Sequence, residues 1–299
     1  MSEASNKAIQ KAYIVRGGVP RMVLPDLAWV GGCSNSSGWP GRAETRPVTH
    51  EPCMAYVIMG AQKTIMMDTG HYGLWYSLDG QLDAVLKGRP LDYVFVSHQE
   101  IPHTGNLGRL LRKYPNAVAV GDVRDYHLFH PEVALDRLVQ KQHGDRIDLG
   151  DREIVFLDAI WKDLSGTMWT YDTRLKLLFS ADTFGYIHLH DENVCGTMFH
   201  EMPEQTLGSV IGRPALPFFG MRSRDQAARV EAFRGFLKQY PLEIITSGHT
   251  APIMGAMVPR AIEKLLGDIA SGGPRFLQSV AGADPGVGEG SDRGAEFHA

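Results

Sequence analysis

The sequence predicts an α/β fold in which two stacked β-sheets are covered by helices. Three observations support this prediction. The chain has 299 residues, which is enough for one large layered domain. Short apolar runs of strand type alternate with stretches of helical period along its first half. A second β-rich half repeats this rhythm, and no linker separates the two halves.

Strand and helix signals alternate in the first half of the chain. The predicted strands are short apolar runs, and they comprise residues 55–59, 64–67, 93–96 and 117–120. One helix is predicted near residues 78–87. A second helix follows from the spacing of Leu107, Leu110 and Leu111, and Thr104 is placed to cap it.

The second half begins with strands and then returns to a helix followed by a strand. Its predicted strands comprise residues 153–157, 168–171, 175–180 and 243–246. Residues 172–174 have the polar character of a hairpin turn. A helix is predicted over residues 224–240, because apolar residues recur there every three or four positions and Pro241 follows.

We predict one domain over residues 25–271, preceded by an N-terminal segment of residues 1–24. Residues 272–299 are rich in glycine and poor in apolar side chains, so they cannot pack into a core. We expect these last residues to form a flexible tail.

Composition and charge argue against several classes of protein. The net charge of −4 provides no general attraction for nucleic acid. The N-terminus does not resemble a signal peptide, and no apolar stretch is long enough to span a bilayer, so we expect a cytoplasmic protein without a membrane partner. Cys33, Cys53 and Cys195 are odd in number and far apart, which favours reduced thiols over a disulfide framework.

The most informative stretch lies directly after the predicted strand at residues 93–96. Residues 97–106 contain His98, Glu100 and His103, three potential metal ligands within six positions. Side chains at the end of a strand converge over the edge of the sheet, and alternate spacing followed by a turn aims them at one point. We therefore predict that these three residues bind metal.

Three further candidate ligands lie at strand ends or in the connecting loops. Asp182 ends the apolar run at residues 177–181, and a carboxylate placed there can bridge two cations. His249 ends the strand that begins near residue 243, and Gly248 before it permits a close backbone approach. Asp163 lies in the loop before the predicted hairpin.

With these motifs in place, the chain resembles the metallo-β-lactamase superfamily, and within it the flavodiiron-type branch whose metal loop reads His-x-Glu-x-Asp-His. The resemblance covers about residues 25–265, and the motifs that carry it are Met67-Asp68-Thr69-Gly70, His98-Gln99-Glu100-Ile101-Pro102-His103, Phe179-Ser180-Ala181-Asp182 and Ser247-Gly248-His249. It implies a four-layer αββα sandwich of two mixed β-sheets. It also implies that Asp182 is the bridging ligand, that His249 is the last ligand, and that Asp68 orients the ligands through hydrogen bonds.

Two departures from that branch alter the predicted metal positions. Pro102 stands where the branch has the loop aspartate, and Asp163 stands where a histidine is usual. One metal would then contact His98, Glu100, Asp163 and Asp182, an oxygen-rich set that suits iron or manganese. The other would contact His103, Asp182 and His249, which matches both an open iron site and a catalytic zinc site.

Several further residues are candidates for the pocket or for acid catalysis. Lys162 is a candidate acid for the leaving group, beside Asp182 as the residue that holds the metals. His71 follows the Asp-Thr-Gly turn and is a candidate for the cleft. Other candidates for the pocket wall are Trp161, His188, His190 and His200. Each also has an ordinary alternative as a core or surface residue.

The main functional prediction is a metal-dependent hydrolase. A metal with an open position lowers the pKa of bound water, and the resulting hydroxide can attack a small ester, amide, lactone or activated ether. The chain contains no nucleophile elbow and no Walker A loop that would compete with this chemistry.

Two alternatives remain open. One is a di-iron oxidoreductase that reduces oxygen or nitric oxide with a separate electron donor, because the resemblance lacks the flavin domain of that branch. The other is a scaffold without catalysis. We expect one or two divalent ions of iron, zinc or manganese, no flavin or nucleotide, a small-molecule substrate, and a homo- or hetero-oligomer.

Overall fold

The computed structural model describes residues 14–15, 18–35, 50–185, 196–201 and 226–270. In this part of the chain the strands form two mixed sheets that lie face to face between two helical layers. The predicted four-layer αββα sandwich is therefore confirmed.

The first sheet contains eight described strands. They are β1 (Ile14–Val15), β2 (Arg21–Leu24), β3 (Leu27–Asn35), β4 (His50–Met59), β5 (Thr64–Met67), β6 (Tyr93–Phe95), β7 (Val118–Gly121) and β8 (Leu138–Gln140). Their order is β1-β3-β4-β5-β6-β7-β8, and β2 pairs with β3. Strands β3, β4 and β5 are antiparallel neighbours, whereas β5 to β8 run parallel.

The second sheet contains six described strands. They are β9 (Arg146–Asp148), β10 (Glu153–Asp158), β11 (Met168–Asp172), β12 (Leu177–Phe179), β13 (Ile244–Thr246) and β14 (Ile253–Met254). They are arranged in reverse chain order, from β14 to β9. Only the pair β12 and β13 is parallel among these described strands, because a long crossover connects the two.

Six α-helices lie in the described ranges. They are α1 (Trp75–Leu86), α2 (Ile101–Thr104), α3 (Leu107–Lys113), α4 (Tyr126–Phe129), α5 (Ala227–Gln239) and α6 (Met257–Ala270). No helix in the described ranges combines the length and the apolar character that crossing a bilayer would require.

Alternate residues of the first sheet face different layers. In β4, Tyr56 and Ile58 pack toward the second sheet, whereas Ala55 and Val57 pack toward α1, α3 and α4. The second sheet is covered on its other side by α5 and α6, which contribute Phe233 and other apolar side chains to the same core. Both faces of each sheet are thus removed from water, which explains why many of these strands are almost entirely apolar.

Aromatic side chains hold the two sheets together near the ends of β6 and β12. The ring centroids of Phe95 and Phe156 are 5.7 Å apart, and those of Phe95 and Phe179 are 6.1 Å apart. Tyr56 packs edge-on against Phe179 at 6.0 Å. These edge-to-face contacts fix the strand ends that carry the predicted metal ligands.

The sequence predictions differ from the structure at several boundaries. Thr104 ends α2 instead of capping the next helix, and Asn106 precedes α3. This prediction was wrong because Pro102 lies in the first turn of a separate short helix, α2, and that helix already ends at Thr104. Strands β1 and β2 pair with β3, so the sheet includes residues that precede the predicted domain start at residue 25. The predicted tail, residues 272–299, lies outside the described residues.

A buried arginine connects the two sheets at the edge away from the metal loop. The side chain of Arg152 is 1% exposed and forms ion pairs with Asp26, beside β3 of the first sheet, and with Asp151. Its Nη1 lies 3.5 Å from Oδ2 of Asp172, at the end of β11. Burial raises the pKa of Asp172, and the charge of Arg152 opposes that rise. Removing the guanidinium would leave a buried carboxylate without its counter-charge.

We therefore expect Arg152→Ala to lower the free energy of unfolding by about 3–5 kcal/mol, the usual effect of leaving a buried charge unpaired. The matched control is Arg146→Ala, which removes an exposed pair with Glu153 and should change stability by less than about 1 kcal/mol. Urea denaturation followed by circular dichroism measures both values. Equal effects of the two substitutions would contradict this role of Arg152.

Candidate metal centre

The predicted ligands meet where strands of the two sheets end side by side. His98 follows β6 of the first sheet, whereas Asp182 and His249 follow the parallel neighbours β12 and β13 of the second. His103 lies in the short helix α2, which follows the loop that leaves β6. Because parallel strands end at the same edge, these side chains converge although they are far apart in sequence.

Asp182 lies at the centre of three imidazoles. Its Oδ1 atom is 3.0 Å from Nε2 of His103, and 3.8 Å from Nε2 of both His98 and His249. Asp163 approaches from the other side, with its Oδ2 atom 3.0 Å from Nε2 of His98. The carboxylate of Asp182 therefore occupies the place that a ligand shared between two ions would take.

Glu100 marks the open side of the cluster. Its side chain is 45% exposed, and its Oε2 atom lies 3.9 Å from Nε2 of His98. One ligand atom from each of His98, Glu100, His103 and Asp182 lies within 4.8 Å of the others. The other three residues of this group are buried. Glu100 is therefore the member of this group that is accessible to solvent.

The residues of the cluster fit a metal ion, as their unsatisfied atoms show. Among the described residues, four buried atoms at this point have no hydrogen-bond partner, namely His98 Nε2, His103 Nε2, Asp163 Oδ2 and Asp182 Oδ1. These atoms are close to one another, but their directions are not those of hydrogen bonds. Buried polar atoms without partners are costly, and a cation bound between them would satisfy all four. The imidazole and carboxylate donors suit iron, manganese or zinc.

The Nδ1 atoms of His103 and His249 form hydrogen bonds on the side of each ring that faces away from Asp182, so the Nε2 atoms stay available for a metal ion. Nδ1 of His103 lies 2.5 Å from Oδ2 of Asp68, and Nδ1 of His249 lies 2.6 Å from the carbonyl oxygen of Pro52. Both partners accept hydrogen bonds, so each Nδ1 atom carries the proton. The lone pair of each neutral ring is then on Nε2, which faces Asp182.

Asp68 is held in place by a strained backbone and several donors. Its φ angle of 58° lies in the left-handed region, which turns the chain sharply at the end of β5. Its backbone N–H donates to Phe95, and its Oδ1 atom accepts from the N–H of Ser97 at 2.8 Å. Asp68 thus connects the ends of β5 and β6 to the ring of His103.

Sequence reasoning assigned no role to three residues that hold this loop. Oγ1 of Thr69 donates to the carbonyl of His103 at 2.8 Å, and Nδ2 of Asn106 donates to the carbonyl oxygens of Thr69 and His71. The hydroxyl of Ser97 contacts both Asp68 and His98. Thr69 lies in a quoted motif, and Ser97 and Asn106 lie at the two ends of the stretch 97–106, but the partners of all three are set by the approach of two loops.

A second strained turn presents Asp182. The φ angles of Ala181 and Phe184 are 53° and 70°, and Oγ of Ser180 donates to the carbonyl of Thr183. The N–H of Gly248 donates to the carbonyl of Ala181 at 2.9 Å, which joins the Asp182 turn to the His249 turn. Left-handed non-glycine residues often occur at functional sites, where surrounding contacts offset the strain.

The charges of the cluster reinforce one another. Burial and the neighbouring His103 ring lower the pKa of His98, but Asp182, Asp163 and Glu100 outweigh them and raise it to about 9. Burial raises the pKa of Asp182, yet the histidines hold it well below its ordinary value. Without a metal, protons on His98 and His103, whose pKa values are raised, therefore supply positive charge beside the carboxylates.

Two predicted catalytic or pocket residues lie in different surroundings from the cluster. Lys162 has an exposed side chain, and its Nζ atom lies 3.5 Å from Asp158, so its role as an acid stays a prediction. Trp161 is buried and packs against Trp169 and Phe233, at centroid distances of 6.3 and 5.0 Å, so it belongs to the core.

Two further predicted pocket residues, His71 and His200, contact neighbours other than Asp182. Nδ1 of His71 accepts a hydrogen bond from Gly73, and its ring packs on Tyr72. The side chain of His200 is 59% exposed, with Nε2 4.0 Å from Glu201. His188 and His190 lie outside the described residues, so their predicted place in the pocket stays a prediction.

Comparison with known proteins identifies a family for more than half of the chain. Residues 52–210 match the family described as "ODP family beta lactamase". A curated relative, the anaerobic nitric oxide reductase flavorubredoxin of Pectobacterium carotovorum subsp. carotovorum (strain PC1), is 26% identical over 199 residues. That match covers 63% of this chain and 37% of the relative, so the chain spans little more than a third of that protein's length. The similarity covers the β-lactamase-like part of such relatives and not a flavodoxin domain.

Solved structures support the same fold. The flavodiiron protein of Giardia intestinalis superposes with a TM-score of 0.62 at 17% identity, over 82% of this chain and 58% of that one. Rubredoxin oxygen:oxidoreductase of Desulfovibrio gigas gives a TM-score of 0.63 at 19% identity, over 84% and 61% of the two chains. At these identities the likeness establishes the fold and does not transfer an activity.

Gly248 packs directly beneath His103, which leads to a prediction. A Cβ atom at this position would lie 2.6 Å from Cε1 and 2.8 Å from Nδ1 of His103, and 3.2 Å from Oδ2 of Asp68. We expect Gly248→Ala to push the ring away from Asp68 and weaken metal binding by about 10–100-fold. Gly235→Ala is the control, because nothing lies within 4 Å of its Cβ position in α5. Co²⁺ titration followed by visible absorption measures the affinity, and an unchanged affinity for Gly248→Ala would refute the prediction.

The raised pKa of His98 gives metal binding a pH dependence. Below about pH 9 the metal-free ring holds a proton, which must leave before Nε2 can bind a cation. The apparent Zn²⁺ affinity should therefore rise by at least about tenfold per pH unit between pH 6.5 and 8.5. Chelator competition measures this slope, and calorimetry in buffers of different ionisation enthalpy counts the released protons. A flat profile would show that His98 is not a ligand.

Proposed function

This chain belongs to the ODP beta lactamase family, and from that premise we propose that it is a di-iron oxidoreductase that acts on dioxygen or nitric oxide. The observation that supports this most directly is the convergence of unpartnered imidazole and carboxylate atoms around Asp182. The donors come from both sheets, and none is a cysteine among the described residues of the cluster. Such a donor set favours iron or manganese over ions that prefer sulfur.

The names of the relatives favour this alternative over the predicted hydrolase. The curated relative is a nitric oxide reductase, and one structural neighbour is an oxygen:oxidoreductase. Both share the fold of this chain, and neither is named as a hydrolase. Because the chain covers only part of each, their activities support a proposal for it and do not establish one.

The cluster can be divided into two metal positions that share Asp182. His98, Glu100 and Asp163 would hold one ion, and His103 and His249 would hold the other. The first position has more carboxylates and therefore suits a harder, more highly charged ion. The second has two histidines and one carboxylate, a set that leaves coordination positions open for a small molecule.

When bound, two iron ions supply exchangeable electrons and open coordination positions for a diatomic molecule. The residues of the chain prepare the site for this chemistry. Asp68 and the Pro52 carbonyl hold the Nδ1 protons of His103 and His249, so the rings present fixed lone pairs. The other residues of the cluster are buried, and Glu100 lies at the exposed side, where its carboxylate would hold the ion from the direction of the solvent.

The electrons must come from another redox protein in this proposal. Reduction of dioxygen to water, or of nitric oxide to nitrous oxide and water, consumes electrons and protons in equal number. The separate electron donor expected from the sequence stays a prediction. The homo- or hetero-oligomer and the cytoplasmic localisation that the sequence predicts also stay predictions.

The test begins with the metals of protein purified without added ions. We expect iron, and the chemically reduced protein should consume dioxygen or nitric oxide at an electrode. Asp182→Asn should lower both the iron content and the rate by about 100-fold, because it removes the charge at the shared position. His127→Ala, which changes an exposed histidine in α4, should retain both.

A specific result would favour the hydrolase instead. This is turnover of esters, lactones or amides by the zinc-loaded protein, together with no consumption of either gas by the iron-loaded protein. Loss of that hydrolysis in Asp182→Asn would assign it to the same centre. Wild-type protein that binds no metal would support the scaffold without catalysis.

A further inference from the structure

Ser97 places a buried hydroxyl between two residues of the metal centre. Its Oγ atom lies 3.1 Å from Oδ2 of Asp68 and 3.1 Å from Nδ1 of His98. Nδ1 of His103 is 3.4 Å away. The side chain is almost completely removed from water, so these groups are its partners and no solvent molecule replaces them.

The directions of these hydrogen bonds follow from the number of protons available. A hydroxyl has one proton and two lone pairs, whereas an ionised carboxylate can only accept. Ser97 therefore donates to Asp68, and its lone pairs are left for His98. Nδ1 of His98 must then be the donor, which places the lone pair of the neutral ring on Nε2, toward Asp163 and Asp182.

We infer that the Ser97 hydroxyl extends the orienting effect of Asp68, which the resemblance implies and which reaches His103 directly, to the ring of His98. Oδ2 of Asp68 accepts from Ser97 and from Nδ1 of His103. The two histidines belong to different metal positions, so one carboxylate fixes the ligand atoms of both. This inference deepens the proposed function, since it rests on the same metal centre and assigns Ser97 as a positioning residue.

The role of the Ser97 hydroxyl can be tested by substitution, because the backbone hydrogen bonds of this residue do not involve the hydroxyl. The N–H of Ser97 donates separately to Oδ1 of Asp68, and its carbonyl accepts from the N–H of Met168. Ser97→Ala keeps both backbone contacts and removes the hydroxyl that joins Asp68 to His98. His103 also loses the longer contact with this hydroxyl, but its Nδ1 atom keeps the direct hydrogen bond to Asp68. Asp68→Asn keeps a residue that tolerates a positive φ angle, but it places an N–H group against one of the existing donors.

The experiment is a Co²⁺ titration of the metal-free full chain, in which wild type should show two binding steps. Ser97→Ala should weaken one step by about 10–100-fold and leave the other within about threefold, because only His98 loses its orienting contact. Asp68→Asn should weaken both steps. Thr170→Val is the control, since it removes a buried hydroxyl that contacts Met67 and no candidate ligand. Thermal denaturation confirms that each variant is folded.

A spectroscopic measurement separates positioning from general stability. In the zinc-loaded wild type, proton NMR in water should show slowly exchanging Nδ1–H signals for both His98 and His103. In Ser97→Ala the His98 signal should exchange rapidly, while the His103 signal persists. The control variant should retain both signals.

The outcomes distinguish this inference from the proposed function. If wild type binds two ions and Ser97→Ala matches it in both steps, the inference is overturned while the metal centre stands. Equal weakening of both steps in Ser97→Ala would also overturn it, since the hydroxyl would then act on the whole fold of the loop. Wild-type protein that binds no ion would overturn the proposed function together with the inference.

Discussion

The buried carboxylate of Asp68 is the contact on which the metal centre depends. It lies where β5 ends in a left-handed turn, and it accepts hydrogen bonds from Ser97 and His103. A residue in such a conformation is strained by about 1–3 kcal/mol, and hydrogen bonds to a charged group can offset a penalty of that size. If the turn at Asp68 relaxed, its carboxylate would lose the hydrogen bond to the ring of His103. The strained backbone of Asp68 and the position of that ring therefore depend on each other.

Electrostatics explains why this centre needs a positive charge in its middle. Three histidines surround Asp182, and Asp163 faces His98 from the opposite side. Buried carboxylates and lone pairs repel one another unless protons or metal ions lie between them. Protons and metals therefore compete for one place. The same interactions that raise the pKa of His98 also provide the attraction for a cation.

The two departures from the flavodiiron-type pattern, Pro102 and Asp163, change where the carboxylates of the cluster lie. Pro102 removes the loop aspartate and instead begins the short helix α2. Asp163 adds a carboxylate from the second sheet, where that branch usually has a histidine, and lies beside His98. In the proposed arrangement of two metals the number of carboxylates would be kept, but the added one would lie at the position of His98. The proposed position at His98 would then have Glu100, Asp163 and the shared Asp182, whereas the proposed position at His103 and His249 would have only the shared Asp182.

The sequence by itself determined the layers of the fold and the main ligands. Strand and helix patterns depend on neighbours a few residues apart, and His98, Asp182 and His249 follow apolar runs whose ends must meet at a sheet edge. Only the tertiary structure decided which atoms face one another. The carbonyl of Pro52 behind His249, the Ser97 hydroxyl behind His98 and the packing of Trp161 in the core depend on how the two sheets stack. Such contacts join residues that are distant in sequence or turn on one side-chain angle, and local patterns carry no information about either.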